Sequence, residues 1–339
     1  MKPRDRVLTV LEHGQADRVP RFEIWIDDLQ SELGRHDAAD SYVQMGQDCI
    51  MLPGGSPPGS RAWRDGVDEF GRIWKNGMYV GGAVATADDL RRFSPPLSAA
   101  DACFDPESVR SIRRRHPHHC LIFGTHVGPL TAGYMAMGCE RFFARMLDDP
   151  PFVHSLIDAR TEWCVALYRS ALRLGAEVLV LGDDAAHCGG PMISPTMWRE
   201  FVLPYHRRIA ESLDAPLIWH SDGNIQSLLP FAVEAGFVGV HGLEPAAGMD
   251  LARVKQEFGM QTVLVGNIDV RVLCRSDLGA VRQEVRRCLA QGAPGAGYMI
   301  ATCNRFRSVF KGMNPLAVAE MFRYEAEIGG SPLFSQGGG

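Results

Sequence analysis

Three apolar runs in the middle of the chain end alike: Ala176-Glu-Val-Leu-Val-Leu-Gly-Asp-Asp184, Pro216-Leu-Ile-Trp-His-Ser-Asp222 and Phe237-Val-Gly-Val-His-Gly-Leu-Glu244. Each is short, rich in Val, Leu or Ile, and finishes in acids or imidazoles. Short continuous apolar runs predict strands buried on both faces, as parallel sheets require. Working outward, the same unit recurs at Val19–Ile26, Asp48–Leu52, Cys120–Val127, Thr262–Asp269 and Tyr298–Cys303. Helix-like stretches separate the runs, at Asp149–Leu174, Ser194–Leu213, Ile225–Ala235, Leu251–Phe258 and Leu278–Gln291. Ser194-Pro195 reads as an N-cap followed by Pro at the first helical position. Gly175, Gly236, Gly259 and Gly292 fall where helices should stop. Eight strands alternating with helices predict an α/β fold, the (β/α)8 TIM barrel. The rival is an open doubly wound sheet, and its nucleotide-binding form would carry GxGxxG after the first strand, which is lacking here.

Composition narrows the class. The chain has 339 residues, of which 46% are hydrophobic and 22% charged, which excludes intrinsic disorder. That length suits one large barrel of about 250 residues plus insertions, or two modest domains. The strand pattern favours one domain over residues 1–334, with a frayed tail at 335–339. The net charge of −5 disfavours nucleic acid as a partner. No run of about 18 apolar residues offers a membrane span, and the N-terminus has no signal-peptide core. Nine cysteines without CxxC pairs fit a reducing, cytoplasmic setting better than a disulfide framework. One region breaks the rhythm: from Pro53 to about Pro117, after the second strand, the chain is rich in turns. Trp63 to Trp74 reads there as a β-hairpin, followed by a short helix from near Thr86. An insertion this long reads as a lid or as a flap over the barrel's side.

Barrel chemistry sits at the C-terminal ends of the strands. The first run supplies Glu23, Trp25, Asp27 and Asp28; the third His126; the fourth Asp183 and Asp184; the fifth His220, Asp222 and Asn224. The sixth supplies His241 and Glu244, the seventh Asn267 and Asp269, and the eighth Cys303, Asn304 and Arg305. Charges at the ends of buried strands are costly unless they serve a polar pocket, so an enzyme is favoured over a scaffold. Asp184, His220 and Glu23 are the candidate catalytic groups. Trp25, His126, Asp183, Asn224, Asn267 and Arg305 are the candidate contacts to a small-molecule substrate. Of Asp183 and Asp184, one reads as a ligand or general base and the other as a helix cap. His220 and Asp222 share a strand face, and with Cys303 they offer imidazole, carboxylate and thiolate to a catalytic Zn²⁺. The alternative is that Cys303 is a small buried hydrophobe and His220 a hydrogen-bonded pocket group.

Several segments carry a family resemblance over nearly the whole chain. They are Asp17-Arg-Val-Pro20, Gly182-Asp-Asp184, Ser194-Pro-x-x-Trp198-x-x-Phe-x-x-Pro204, His220-Ser-Asp-Gly-Asn224, Gly248-Met-Asp250 and Gly266-Asn-Ile-Asp269. Together, in this order, they resemble the uroporphyrinogen decarboxylase superfamily, which implies a (β/α)8 barrel with a deep cleft at the strand C-termini. The true decarboxylase carries Arg-Gln-Ala-Gly-Arg after the first strand. Here that region reads Trp25-Ile-Asp-Asp-Leu-Gln30, whose two acids would repel a polycarboxylate. The other branch moves methyl groups between small substrates or thiols and a corrinoid. Its thiol-methylating members hold zinc on His-x-Cys after the fifth strand and a Cys after the eighth. His220 and Cys303 match the outer ligands, and Asp222 replaces the middle one. Members with His-Ser-Asp-Gly include methyl-ether demethylating enzymes. The resemblance thus implies a zinc-assisted methyltransferase acting on a methyl ether, methylamine or thiol. Its corrinoid would be carried by a partner protein, and relatives are often homodimers. The rival reading is a decarboxylase or lyase for a small acid, with Arg18, Arg21, Arg305 or Arg307 as carboxylate clamps.

Overall fold

The computed structural model describes residues 1–26, 38–125, 127–304 and 314–328. Among them the strands are, in chain order, β1 (Cys49–Met51), β2 (Gly66–Val67), β3 (Arg72–Lys75), β4 (Met78–Gly82), β5 (Cys120–Thr125) and β6 (Val178–Gly182). There follow β7 (Ala186–His187), β8 (Gly190–Pro191), β9 (Leu217–Ser221), β10 (Gly239–Gly242), β11 (Val263–Ile268) and β12 (Tyr298–Thr302). Seven of them form one parallel sheet in the order β1-β5-β6-β9-β10-β11-β12. Spatial order follows chain order, so every crossover runs the same way round and the sheet curls. Strands β5, β6, β9, β10, β11 and β12 come from the six expected runs between Cys120 and Cys303, and all but the end of β5 are fully buried.

The first expected strand takes a reduced form. Arg21 makes a single parallel bridge to Ile300, with Phe22 N donating to the Ile300 carbonyl and Ile300 N to that of Pro20. On its other side the Arg21 carbonyl accepts from Asp48 N, next to β1. The segment therefore stands between β12 and β1 and joins the two ends of the sheet. It does not extend into a ladder because Pro20 has no N–H to give, and because Thr302 N donates to the Glu23 carboxylate at 2.9 Å rather than to a main-chain carbonyl.

Helices cover the sheet. Pro150–Arg173 starts on the Asp149 side chain, Leu251–Phe258 on Asp250 and Leu278–Gly292 on Asp277. The stretch expected as one helix at Ser194–Leu213 is two, Pro195–Phe201 and Leu203–Glu211. Pro204 cannot donate within a continuous helix and instead opens the second one. Gly236 ends its helix in the left-handed conformation. Gly292 is the last residue of its helix, as expected, and a Cβ there would press on the Tyr298 ring.

The insertion forms an antiparallel sheet, β2-β3-β4, longer than the expected hairpin, and the helix Ala87–Arg92 with a Thr86/Asp89 capping box. It packs on the helical flank. Tyr79 Oη donates to the Met135 carbonyl at 3.0 Å, and Arg160 holds the carbonyls of Phe70 and Phe93 at 3.0 and 2.9 Å. No helix among the described residues is long and apolar enough to cross a membrane.

Asp17-Arg-Val-Pro20 is a structural knot at the opposite end of the sheet from the strand C-termini. Arg18 gives two hydrogen bonds to Asp48, at 2.7 and 2.8 Å, and Arg6 joins Asp17 to Asp48 at 2.6 and 2.5 Å. Asp48 immediately precedes β1, so Arg18 is fixed away from the strand ends where a carboxylate substrate would need a clamp. Arg21 is half-buried, with its backbone N–H donated to Asp48 at 2.9 Å.

Candidate metal centre

Parallel pairing sets three side chains at one level. The ladder aligns His220 with Gly182 on one side and with His241 on the other. Asp184 lies two residues beyond Gly182, and Asp222 two beyond His220. One potential ligand atom from each of Asp184, His220 and Asp222 lies within 4.8 Å of the others. His220 Nε2 is 3.5 Å from Asp222 Oδ1 and 4.0 Å from Asp184 Oδ1.

Surrounding residues hold each member in place. The Asp222 backbone N–H donates to Asp184 Oδ1 at 3.0 Å, and Thr131 Oγ1 accepts from Asp184 N at 2.8 Å. Asn304 Nδ2 donates to Asp222 Oδ1 at 2.8 Å. The Nδ1 atoms of His220 and His241 are 2.7 Å apart. Trp25 meets the His220 ring edge-on, with centroids 4.9 Å apart. Gly223, at φ +82°, makes the turn after Asp222; a Cβ there would strike the backbone of Ala186 and His187, and its N–H donates to Glu244 at 3.0 Å.

Charge in this site is out of balance. Burial first, and the Asp222 charge second, raise the Asp184 carboxyl to about 6. Burial and the neighbouring His220 hold His241 well below the usual imidazole range, so it is neutral. Two carboxylates converging beside imidazole nitrogen form an N,O donor set that a divalent cation would relieve. The structural observation that fits a metal is this convergence together with the His220–His241 contact. A neutral His241 can accept the Nδ1 proton of His220 and leave Nε2 as the free lone pair toward the carboxylates.

The expected site residues separate into groups. Asp184, His220 and Asp222 come together, with Trp25 against them. Cys303 is not among the donors of this cluster. It is buried, its thiol pushed well up by burial, beside the charges of Asp269, Glu244 and Asp222, and its N–H donates to Ile268. The donor set that the structure brings together is thus Asp184, His220 and Asp222, with Asp184 where Cys303 was expected. Asp183 points away from the cluster: fully buried, it accepts from the N–H groups of Leu130 and Thr131 at 3.2 and 2.7 Å and contacts His206 Nε2 at 2.8 Å. It therefore holds the N-terminus of helix Pro129–Met137, and a side chain at Gly128 would collide with it. Asn267 is also buried, donating to the Leu243 carbonyl at 2.6 Å and accepting from Arg287 at 2.9 Å. Asn224 shapes its own loop through the Ala247 carbonyl at 3.0 Å and Gln226 N at 3.2 Å. His126 and Arg305, like Asp27, Asp28 and Arg307, lie outside the described residues.

Glu23 lies deeper. Its carboxylate accepts from Thr302 N at 2.9 Å and faces Thr302 Oγ1 at 2.8 Å, and burial raises it to about 7. The Thr302 hydroxyl also lies 2.8 Å from the Asn304 carbonyl. It has one proton and two acceptors, a conflict that a protonated Glu23 resolves by donating to the hydroxyl. A chain of contacts thus runs from Glu23 through Thr302 and Asn304 to Asp222. Thr302 had no place among the expected site residues, since a threonine ending a strand carries no signal of its own. His241 and Asn304 stood at strand ends, but only the register gives them partners.

The model of the family "Uroporphyrinogen decarboxylase (URO-D)" matches residues 73–306, more than half of the chain. The chain belongs to the uroporphyrinogen decarboxylase family. Among curated members, a methylated-thiol–coenzyme M methyltransferase of Methanosarcina mazei is 30% identical over 195 residues, covering 56% of this chain and 50% of that protein. A uroporphyrinogen decarboxylase of Xanthomonas campestris is 30% identical over 230 residues, covering 63% of this chain and 62% of that protein. The chain thus spans between half and two thirds of these relatives. Among solved structures, a methyltransferase from Methanosarcina mazei superposes with a TM-score of 0.73 at 19% identity, over 96% of this chain and 99% of that one. That likeness shows that the two chains share a fold.

Proposed function

We propose that this member of the uroporphyrinogen decarboxylase family is a methyltransferase. It moves a methyl group between a small substrate (a methyl ether, a methylamine or a thiol) and a corrinoid carried by a partner protein. The observation that carries this reading is the convergence of Asp184, His220 and Asp222 at the strand ends. These three residues would hold a zinc ion, which would supply Lewis acidity at the heteroatom that bears the methyl group.

The chain's own residues have defined tasks. His241 fixes the tautomer of His220, and Trp25 shields the ring and holds its plane. Asn304 orients Asp222. Glu23, poised near neutrality, can hold a proton at Thr302 Oγ1 for the departing group's side of the site. The methylated-thiol methyltransferase among the relatives supports methyl transfer. The reading of a decarboxylase that clamps a carboxylate loses Arg18, whose guanidinium is bonded to Asp48 at the opposite end of the sheet.

The deciding experiment pairs metal analysis with a methyl-transfer assay. The purified protein is expected to bind about one zinc per chain, and chelation should stop transfer from a methylated donor to free cob(I)alamin. Undiminished transfer by metal-free protein would exclude the metal role, and CO₂ release from a small acid without transfer would favour the lyase.

A further inference from the structure

A cavity of about 140 Å³ lies between the insertion and the barrel's flank, apart from the metal centre. Its inner wall is the outer face of β5, where Phe123 and Thr125 point toward helix Pro150–Arg173; Thr125 Oγ1 is 3.1 Å from Tyr168 Oη. Trp163 and Arg160 of that helix form a second wall, and Phe70 and Trp63 of the insertion close it. Asp184, His220 and Asp222 do not line it. Apolar cavities near 150 Å³ accommodate a benzene ring, and four aromatic side chains give this one flat walls. Trp63 is half exposed at its rim and leans on Trp74, ring centroids 4.4 Å apart.

Arg160 is the unusual member. Its side chain is 2% exposed, yet among the described residues no carboxylate pairs with it. Its Nη atoms bind the carbonyls of Phe93 and Phe70, and its Nε, itself closed off, has no acceptor among the described residues. The charges that act on it are those of Arg72 and Asp68, and Asp68 is bonded to Arg72 Nε at 2.6 Å. One carboxylate therefore serves two guanidiniums on this wall. Glu69, also on the wall, is turned to Ser60 Oγ and Arg61 N, at 2.5 and 3.1 Å. A buried donor without an acceptor is costly, and an arginine favours a carboxylate oxygen over a neutral one.

We propose that this cavity is a second binding site, for a small planar aromatic carboxylate whose ring lies among Trp63, Phe70, Phe123 and Trp163 and whose negative charge meets the surplus positive charge of Arg160 and Arg72 on the wall. Bound there, the ligand ties the insertion to the helical flank. The proposal does not depend on the identity of the reaction at the metal centre.

Calorimetric titration of the whole protein with sodium benzoate, and separately with neutral benzamide, tests it. Benzoate is expected to bind saturably, benzamide and Arg160→Gln to weaken binding by at least about tenfold, and His220→Ala to leave it unchanged. Arg160 also braces the insertion, so Ala62→Phe, which fills the cavity from a loop, gives an independent variant that should abolish binding. The proposal is overturned if wild-type protein shows no saturable benzoate binding, if benzamide binds equally well, if Ala62→Phe binds as wild type does, or if His220→Ala abolishes binding.

Discussion

The Nδ1 atoms of His220 and His241 lie 2.7 Å apart on neighbouring strands at the same register. One ring must donate and the other accept. Burial keeps His241 neutral, so it can take the proton and leave His220 Nε2 facing Asp184 and Asp222. Replacing His241 by Phe keeps the packing and removes the acceptor. Zinc affinity is expected to fall about 10- to 100-fold, measured by competition with a chromophoric chelator. An unchanged affinity would show that the pair does not orient the site.

Asp184 should make both metal binding and stability depend on pH, in opposite senses. Its carboxyl sits near 6, above the usual carboxylate range. Metal binding needs the ionised form and should fall away as pH drops below about 6. Without metal, the raised value means the folded chain holds this proton more tightly than the unfolded chain. The stability it contributes is present below about pH 4 and lost as pH rises through 6. Asp184→Asn should therefore abolish zinc binding yet stabilise the metal-free protein at pH 7, by about 1 kcal/mol for a carboxylate still partly screened by solvent. Thermal melts from pH 4 to 8, with and without zinc, check both halves.

Asp183 is expected to behave as structure despite standing beside Asp184. Asp183→Ala would strand two backbone N–H groups and His206 in the interior, costing about 3–5 kcal/mol. Urea denaturation should show a large loss of stability, whereas a conserved midpoint would contradict the anchoring role.

Glu23 lies near pH 7 and reaches the donor cluster through Thr302 and Asn304. If its proton serves the site, transfer rate should decline as pH rises through about 7. Glu23→Gln, which keeps a donor toward Thr302 Oγ1, should flatten that limb while leaving zinc content intact. A limb that persists in the variant would assign it to another group.

Arg18 separates the two chemistries. Arg18→Gln breaks two hydrogen bonds to Asp48 and should cost about 1–3 kcal/mol of stability without changing KM. A raised KM for an acidic substrate would revive the lyase.

Much of this was legible in the chain. Seven of the eight apolar runs are strands of the curled sheet with little adjustment, because strands buried on both faces cannot hide their composition. The shared level of Asp184, His220 and Asp222 follows from where those runs end. Cys303 illustrates the limit: spacing places it at a strand end but says nothing of where the thiol turns, and it lies apart from the donor cluster. Asp183 and Asp184 are the sharper case. Neighbouring acids on a strand face opposite ways, yet their order in sequence does not tell which one meets the helix and which the open site. The roles of His241, Thr302 and Asn304 depend on contacts between strands, to which sequence offers no direct access.

The joint between the first run and β12 has a further consequence, for the order in which the molecule is assembled. Glu23 and Thr302 are 279 residues apart in sequence, so a chain emerging from the ribosome cannot close its ring until the last strand is out. The entropy of that closure falls on one single-bridge seam and one carboxylate. The seam is therefore where an incomplete chain would stay open, and where joining the termini and cutting the backbone elsewhere would bring Glu23 and Thr302 much nearer in sequence.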